Sequence, residues 1–100
     1  MGTACVNAAD QASLSDPTKV QDAEQTCGLR CFGNSDPDCN AKCMAMTLGL
    51  SDPCAKCWGA QIDCVGKNCL TQCIAGADTP GCQSCTAQLC TPALRACAGS

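Results

Sequence analysis

Cysteine and large apolar residues fall along this chain at spacings of three, four and seven, the intervals that bring side chains to one face of a helix. Cys27/Cys31, Cys39/Cys43 and Cys69/Cys73 lie four apart. Cys54/Cys57 and Cys82/Cys85 lie three apart, and Cys57/Cys64 and Cys90/Cys97 seven apart. No stretch alternates β-branched and polar residues as a half-buried strand would.

Local punctuation points the same way. Ser-Asp-Pro occurs at Ser15-Asp16-Pro17, Ser35-Asp36-Pro37 and Ser51-Asp52-Pro53, with Asp78-Thr79-Pro80 as a variant. An Asp or Thr before Pro starts helices, because the side-chain oxygen caps free N–H groups and Pro at the first position has no donor to waste. Gly33-Asn34, Gly49, Gly66 and Gly76 read as breaks, Gly being suited to the left-handed residue past a helix end. The expected fold is all-α, with about five short helices and essentially no strand. The helices run from Pro17 to Phe32, Pro37 to Leu48, Pro53 to Val65 and Asn68 to Ala75. The fifth runs from Pro80 to Cys90 and is broken at Pro92 before ending near Ala98. Residues 1–100 form one domain, divisible into sub-units 1–50 and 51–100.

A pair of cysteines four apart on one helix can clip to a similar pair on an antiparallel neighbour. Cys27–Cys43 and Cys31–Cys39 are therefore expected to staple helices one and two into a hairpin. Spacing does not set the partners of Cys5, Cys54, Cys57, Cys64, Cys69, Cys73, Cys82, Cys85, Cys90 and Cys97. Cys54-x2-Cys57-x6-Cys64 is echoed by Cys82-x2-Cys85-x4-Cys90, which suggests one helical-hairpin unit used more than once.

Composition then sets the compartment. Fourteen of 100 residues are cysteine and none is histidine. So high a share marks a disulfide scaffold, which persists in oxidising surroundings, so a secreted, extracellular or periplasmic protein is expected. Large apolar side chains are few, and a core that thin is marginal at this length. Disulfides at ~2–4 kcal/mol each would supply the shortfall. Met1-Gly2-Thr3 has no apolar signal-peptide pattern after it and is expected to be an expression start before a mature protein.

Charge and residue type exclude several functions. The net charge is −3 and the six bases are scattered singly, so no stripe exists to hold nucleic-acid phosphates. No apolar run approaches the ~20 residues of a membrane span. Without histidine there is no ordinary catalytic triad or neutral-pH proton shuttle, and no enzyme is expected. Asp36 and Asp38 are explained as a cap and a first-turn acid.

The cysteines admit other chemistry. Helical Cys-x3-Cys pairs could hold Cu(I), a soft ion that favours thiolates. Cys54/Cys57 with Cys69/Cys73 has the spacing of a zinc set. Cys54-Ala55-Lys56-Cys57-Trp58 contains a Cys-x-x-Cys, but lacks the preceding strand of redox motifs. The two aromatics, Phe32 and Trp58, are expected to pack in the core beside disulfides; their competing role is as exposed anchors for a protein partner.

Cys27-Gly28-Leu29-Arg30-Cys31 with Cys39-Asn40-Ala41-Lys42-Cys43 resembles the paired Cys-x3-Cys of the α-hairpinin peptides. From Cys27 to Cys73 the elements Cys31-Phe32, Asp38-Cys39, Pro53-Cys54-Ala55-Lys56-Cys57 and Asn68-Cys69-Leu70-Thr71-Gln72-Cys73 resemble the larger secreted pheromones of Euplotes ciliates. Gly49-Leu50-Ser51 and the ending Cys97-Ala98-Gly99 are similar to cysteine-rich secreted or lipoprotein modules of myxobacterial type. The pheromone likeness implies a small stapled helical signal; cysteine spacing departs from it between Cys31 and Cys54, and this chain continues past Cys73. The expected function is a secreted, non-enzymatic recognition or signalling module that binds another protein and carries no cofactor. The alternatives are a Cu(I)-thiolate storage protein and a structural matrix or coat component.

Overall fold

A computed structural model describes residues 2–99. Seven helices run in chain order: α1 (Ala8–Ser13), α2 (Pro17–Cys31), α3 (Cys39–Leu48), α4 (Asp52–Asn68), α5 (Leu70–Cys73), α6 (Pro80–Leu89) and α7 (Thr91–Ala98). No strand occurs among the described residues.

Five expected helices thus become seven. The addition is α1, capped by Asn7, whose side chain accepts from the Asp10 amide at 2.9 Å. The fifth expected helix is two, divided at Cys90 rather than at Pro92, because Pro92 is accommodated in the first turn of α7. Gly66 is no break. It lies inside α4 and is not among the glycines with positive φ, whereas Gly33 (φ 76°) and Gly49 (φ 69°) do leave helices in the left-handed region.

The Asp-Pro starts divide by what each carboxylate does. Asp16 caps α2 by accepting from the Thr18 and Lys19 amides, and Thr79 caps α6 by accepting from the Cys82 amide. Asp36 instead accepts from the Asp38 amide (2.9 Å) and from Lys42 Nζ (2.7 Å), so α3 begins two residues beyond Pro37. Before α4 the capping position is Ser51, and Asp52 sits in the first turn. The Ser51 hydroxyl and amide both donate to the buried Asp10, at 2.5 and 2.8 Å, and Asn7 Nδ2 adds a third bond at 2.6 Å. Burial opposes charge on Asp10, but these donors outweigh it and hold its carboxyl below the usual carboxylate range. The group latches α1 to the start of α4.

Helix α4 is the hub. It packs against α2, α3, α5, α6 and α7. At Gly59 the α3 backbone comes so near that a Cβ there would stand 2.7 Å from the Ala41 nitrogen, so only glycine fits. Around this contact lie Met44, Ala55, Ile62 and Leu50, with Cys27, Cys43, Cys54 and Cys57 filling the spaces between.

All fourteen cysteines are bridged. Cys27–Cys43 and Cys31–Cys39 join α2 to α3, the two pairings expected from spacing. Cys69–Cys85 and Cys73–Cys82 clip α5 to α6 in the same nested way. The hairpin unit is therefore used twice, and of the echoed segments only Cys82-x2-Cys85 belongs to one of the two hairpins. Cys54, Cys57 and Cys64 belong to α4 and tie it to Cys5, Cys97 and Cys90. Cys5–Cys54 crosses the boundary between residues 1–50 and 51–100. The amides of Gly2, Ala4 and Cys5 donate to the carbonyls of Ala96, Cys97 and Ala98, which satisfies the otherwise open end of α7.

Candidate functional site

The two stapled hairpins stand on either side of α4 and leave a groove of about 750 Å³ between them. One wall is α2 and the loop after it, with Glu24, Leu29 and Phe32. The floor is Ile62, Val65 and Gly66 of α4 together with Asn40 at the start of α3. The far wall is α5 and α6, with Leu70 and Ile74.

Its apolar rim is exposed. Phe32 and Leu29 are each 74% accessible, Ile74 81% and Leu70 45%. Large apolar side chains left in water at one place mark a binding surface more than a packing error. Met46, Leu89 and Val6, also exposed, do not line the groove. The walls are held by disulfides, so the rim cannot collapse to bury itself without breaking bridges.

Carboxylates dominate the charged groups there. Glu24 is half-buried in the α2 wall, and burial raises its pKa to about 7. Asp36, hydrogen-bonded to Lys42, is held below the usual range, and the same contact raises the Lys42 ammonium. Asp63 accepts from Asn40 Nδ2 at 2.8 Å. With Nδ2 donating to Asp63, the amide's other polar atom, Oδ1, is an acceptor only. Asn40 is 8% exposed, and its Oδ1 has no hydrogen-bond partner among the described residues. Lys67 is the single base lining the groove.

Comparison with protein-family models, curated proteins and solved structures found no match. What the site can do therefore rests on its own residues.

The aromatics part company. Trp58 is half-buried against the core cluster, as expected, and does not line the groove. Phe32 departs from the core expectation: it caps the C-terminus of α2 just before Gly33 turns the chain, which leaves its ring outside the packed face. The metal and redox readings lose their donors. Cys54, Cys57, Cys69 and Cys73 bond to four different partners (Cys5, Cys97, Cys85 and Cys82), so they form neither a zinc set nor a Cys-x-x-Cys couple, and no thiolate remains for Cu(I). Sequence reasoning passed over Glu24 and Asn40. A signal existed, for Glu24 lies four residues after the buried Val20 and three before Cys27, and Asn40 lies three before Cys43 and four before Met44. Polar residues on a core-facing stripe are the ones to single out.

Proposed function

We propose that this chain is a secreted, non-enzymatic recognition module that binds a segment of another protein in the groove between its hairpins. The observation that carries the reading is the exposed rim of Leu29, Phe32, Leu70 and Ile74 on walls fixed by disulfides. Rigid walls matter because a binding site that is ordered beforehand loses little entropy on association. Seven disulfides belong to an oxidising compartment, and from there secretion follows naturally. The absence of histidine from the sequence favours binding over catalysis. A signalling role adds only the likeness to the stapled ciliate pheromones.

The test is a random peptide library displayed on phage and panned on the oxidised protein. Enrichment should be lost when the rim is made polar in Phe32→Ser/Ile74→Ser, two exposed positions whose replacement leaves the fold intact by circular dichroism. Enrichment that survives this variant would place binding elsewhere. Self-association of the wild type, relieved by the same substitutions, would instead favour the matrix or coat reading.

A further inference from the structure

We propose that the groove selects a cationic amphipathic segment, whose basic side chains donate to Glu24 and Asn40 while its apolar face meets Phe32 and Ile74. The proposal rests on the groove being a binding site, as above, and names the chemistry of its partner.

Charge complementarity supports it. Of the ionisable groups lining the groove, Glu24, Asp36 and Asp63 are acids and Lys67 is the one base. Asp36 is occupied by Lys42 and Asp63 by Asn40, so Glu24 is left to meet a ligand. The second acceptor is independent of charge. Asn40 Oδ1 is buried, oriented by Asp63 and without a donor among the described residues, a state that costs free energy until an N–H or O–H arrives. Asn40 Oδ1 can only accept, and Glu24 only accepts once it is ionised, above about pH 7 or when a cation displaces its proton, so the matching group is a donor-only cation, lysine or arginine.

The spacing favours a chain over a small cation. Asn40 follows Cys39, which is bonded to Cys31, and Glu24 lies two helical turns before Cys31 on the same wall. At ~1.5 Å of rise per residue the two acceptors stand roughly 10 Å apart along the hairpin. One ammonium cannot serve both, whereas basic residues on successive turns of a peptide can, and the apolar rim takes the side chains beside them.

The same library reads this out. Peptides whose enrichment depends on the rim should carry Lys or Arg next to Leu, Phe or Ile. A synthetic winner, followed by fluorescence anisotropy at about pH 8, where Glu24 is ionised, should bind Glu24→Gln about tenfold more weakly than wild type, and its Lys→Glu version should not bind measurably. Glu24→Gln keeps the side-chain shape and replaces a half-buried carboxyl by a neutral amide, so folding is preserved. Rim-dependent winners that are acidic or uncharged, or that bind Glu24→Gln unchanged, would overturn the cation selection and leave the groove reading standing. Winners indifferent to Phe32→Ser/Ile74→Ser would overturn both.

Discussion

The two hairpins carry the same clip and differ in almost everything beneath it. In α2–α3 the nested bridges span 16 and 8 residues, and in α5–α6 they span 16 and 9. Under the first clip lies a core: Val20, Ala23, Cys27 and Cys31 of α2 are buried, and so are Cys43 and Met44 of α3. Under the second, α5 buries nothing and α6 buries only Cys82, with Cys69 buried just before α5. A pair of nested disulfides can therefore impose a helical hairpin whether or not apolar packing supports it. What packing adds is coupling to the rest of the molecule.

Removing one bridge of equal span from each hairpin tests this most strongly. In the chain-entropy account a closed loop near 15 residues contributes ~3 kcal/mol, so Cys27→Ala/Cys43→Ala and Cys69→Ala/Cys85→Ala begin from the same loss. The first pair also leaves a cavity in the core, and its cost should reach about 4–5 kcal/mol, shared by the whole molecule in chemical denaturation. The second, whose buried Cys69 lies outside that cluster, should stay nearer ~3 kcal/mol and appear as fast hydrogen exchange confined to α5 and α6. Equal, global losses in both variants would abolish the distinction.

A smaller effect probes the coupling itself. Gly59→Ala puts a methyl group against the Ala41 backbone and must push α3 from α4, at about 1–3 kcal/mol by thermal unfolding. Gly66→Ala, with open space around its Cβ position inside the same helix, should stabilise by a few tenths of a kcal/mol. If the two behave alike, the close approach of α3 and α4 is not what joins the first hairpin to the hub.

The gentlest test is pH. Glu24 has a folded pKa of about 7, above its ordinary 4.5, so the native state keeps its proton longer than the unfolded chain. Stability should therefore decline as pH rises from about 4.5 through 7 and level off above, and Glu24→Gln should remove the decline. Asp36, Asp63 and Lys67 share the groove, and Lys42 is paired to Asp36. Asp10 has the opposite sign: its depressed pKa gives stability that is present above its ordinary 3.8 and lost as pH falls through the folded value. A profile with only the acid limb would mean that Glu24 is better hydrated than its position in the wall implies.

Cysteine spacing leads straight to the first hairpin, because Cys27/Cys31 and Cys39/Cys43 are both four apart and separated by one short loop. It does not lead to the second, since Cys82/Cys85 could equally have met Cys54/Cys57, and only the packing of α4 decides between them. Helix α1 was invisible for a related reason. Its six residues are held by Asp10 reaching Ser51, a contact 41 residues away that no local pattern encodes. The groove is not legible in the sequence because its aromatic, Phe32, looks like core until the turn at Gly33 carries it outward.

Two of the bridges to the hub have a mechanical consequence. Cys5 is bonded to Cys54 and Cys97 to Cys57, so the shortest covalent route from one end of the described chain to the other crosses only Cys54-Ala55-Lys56-Cys57. Tension applied at the two ends would run through that single turn and the last two residues of α7, and bypass every other helix. Fully drawn out, its three peptide units reach about 10 Å. Unless a disulfide is cut, the molecule under load is a nearly inextensible link, and the groove beside α4 keeps its shape while force passes by.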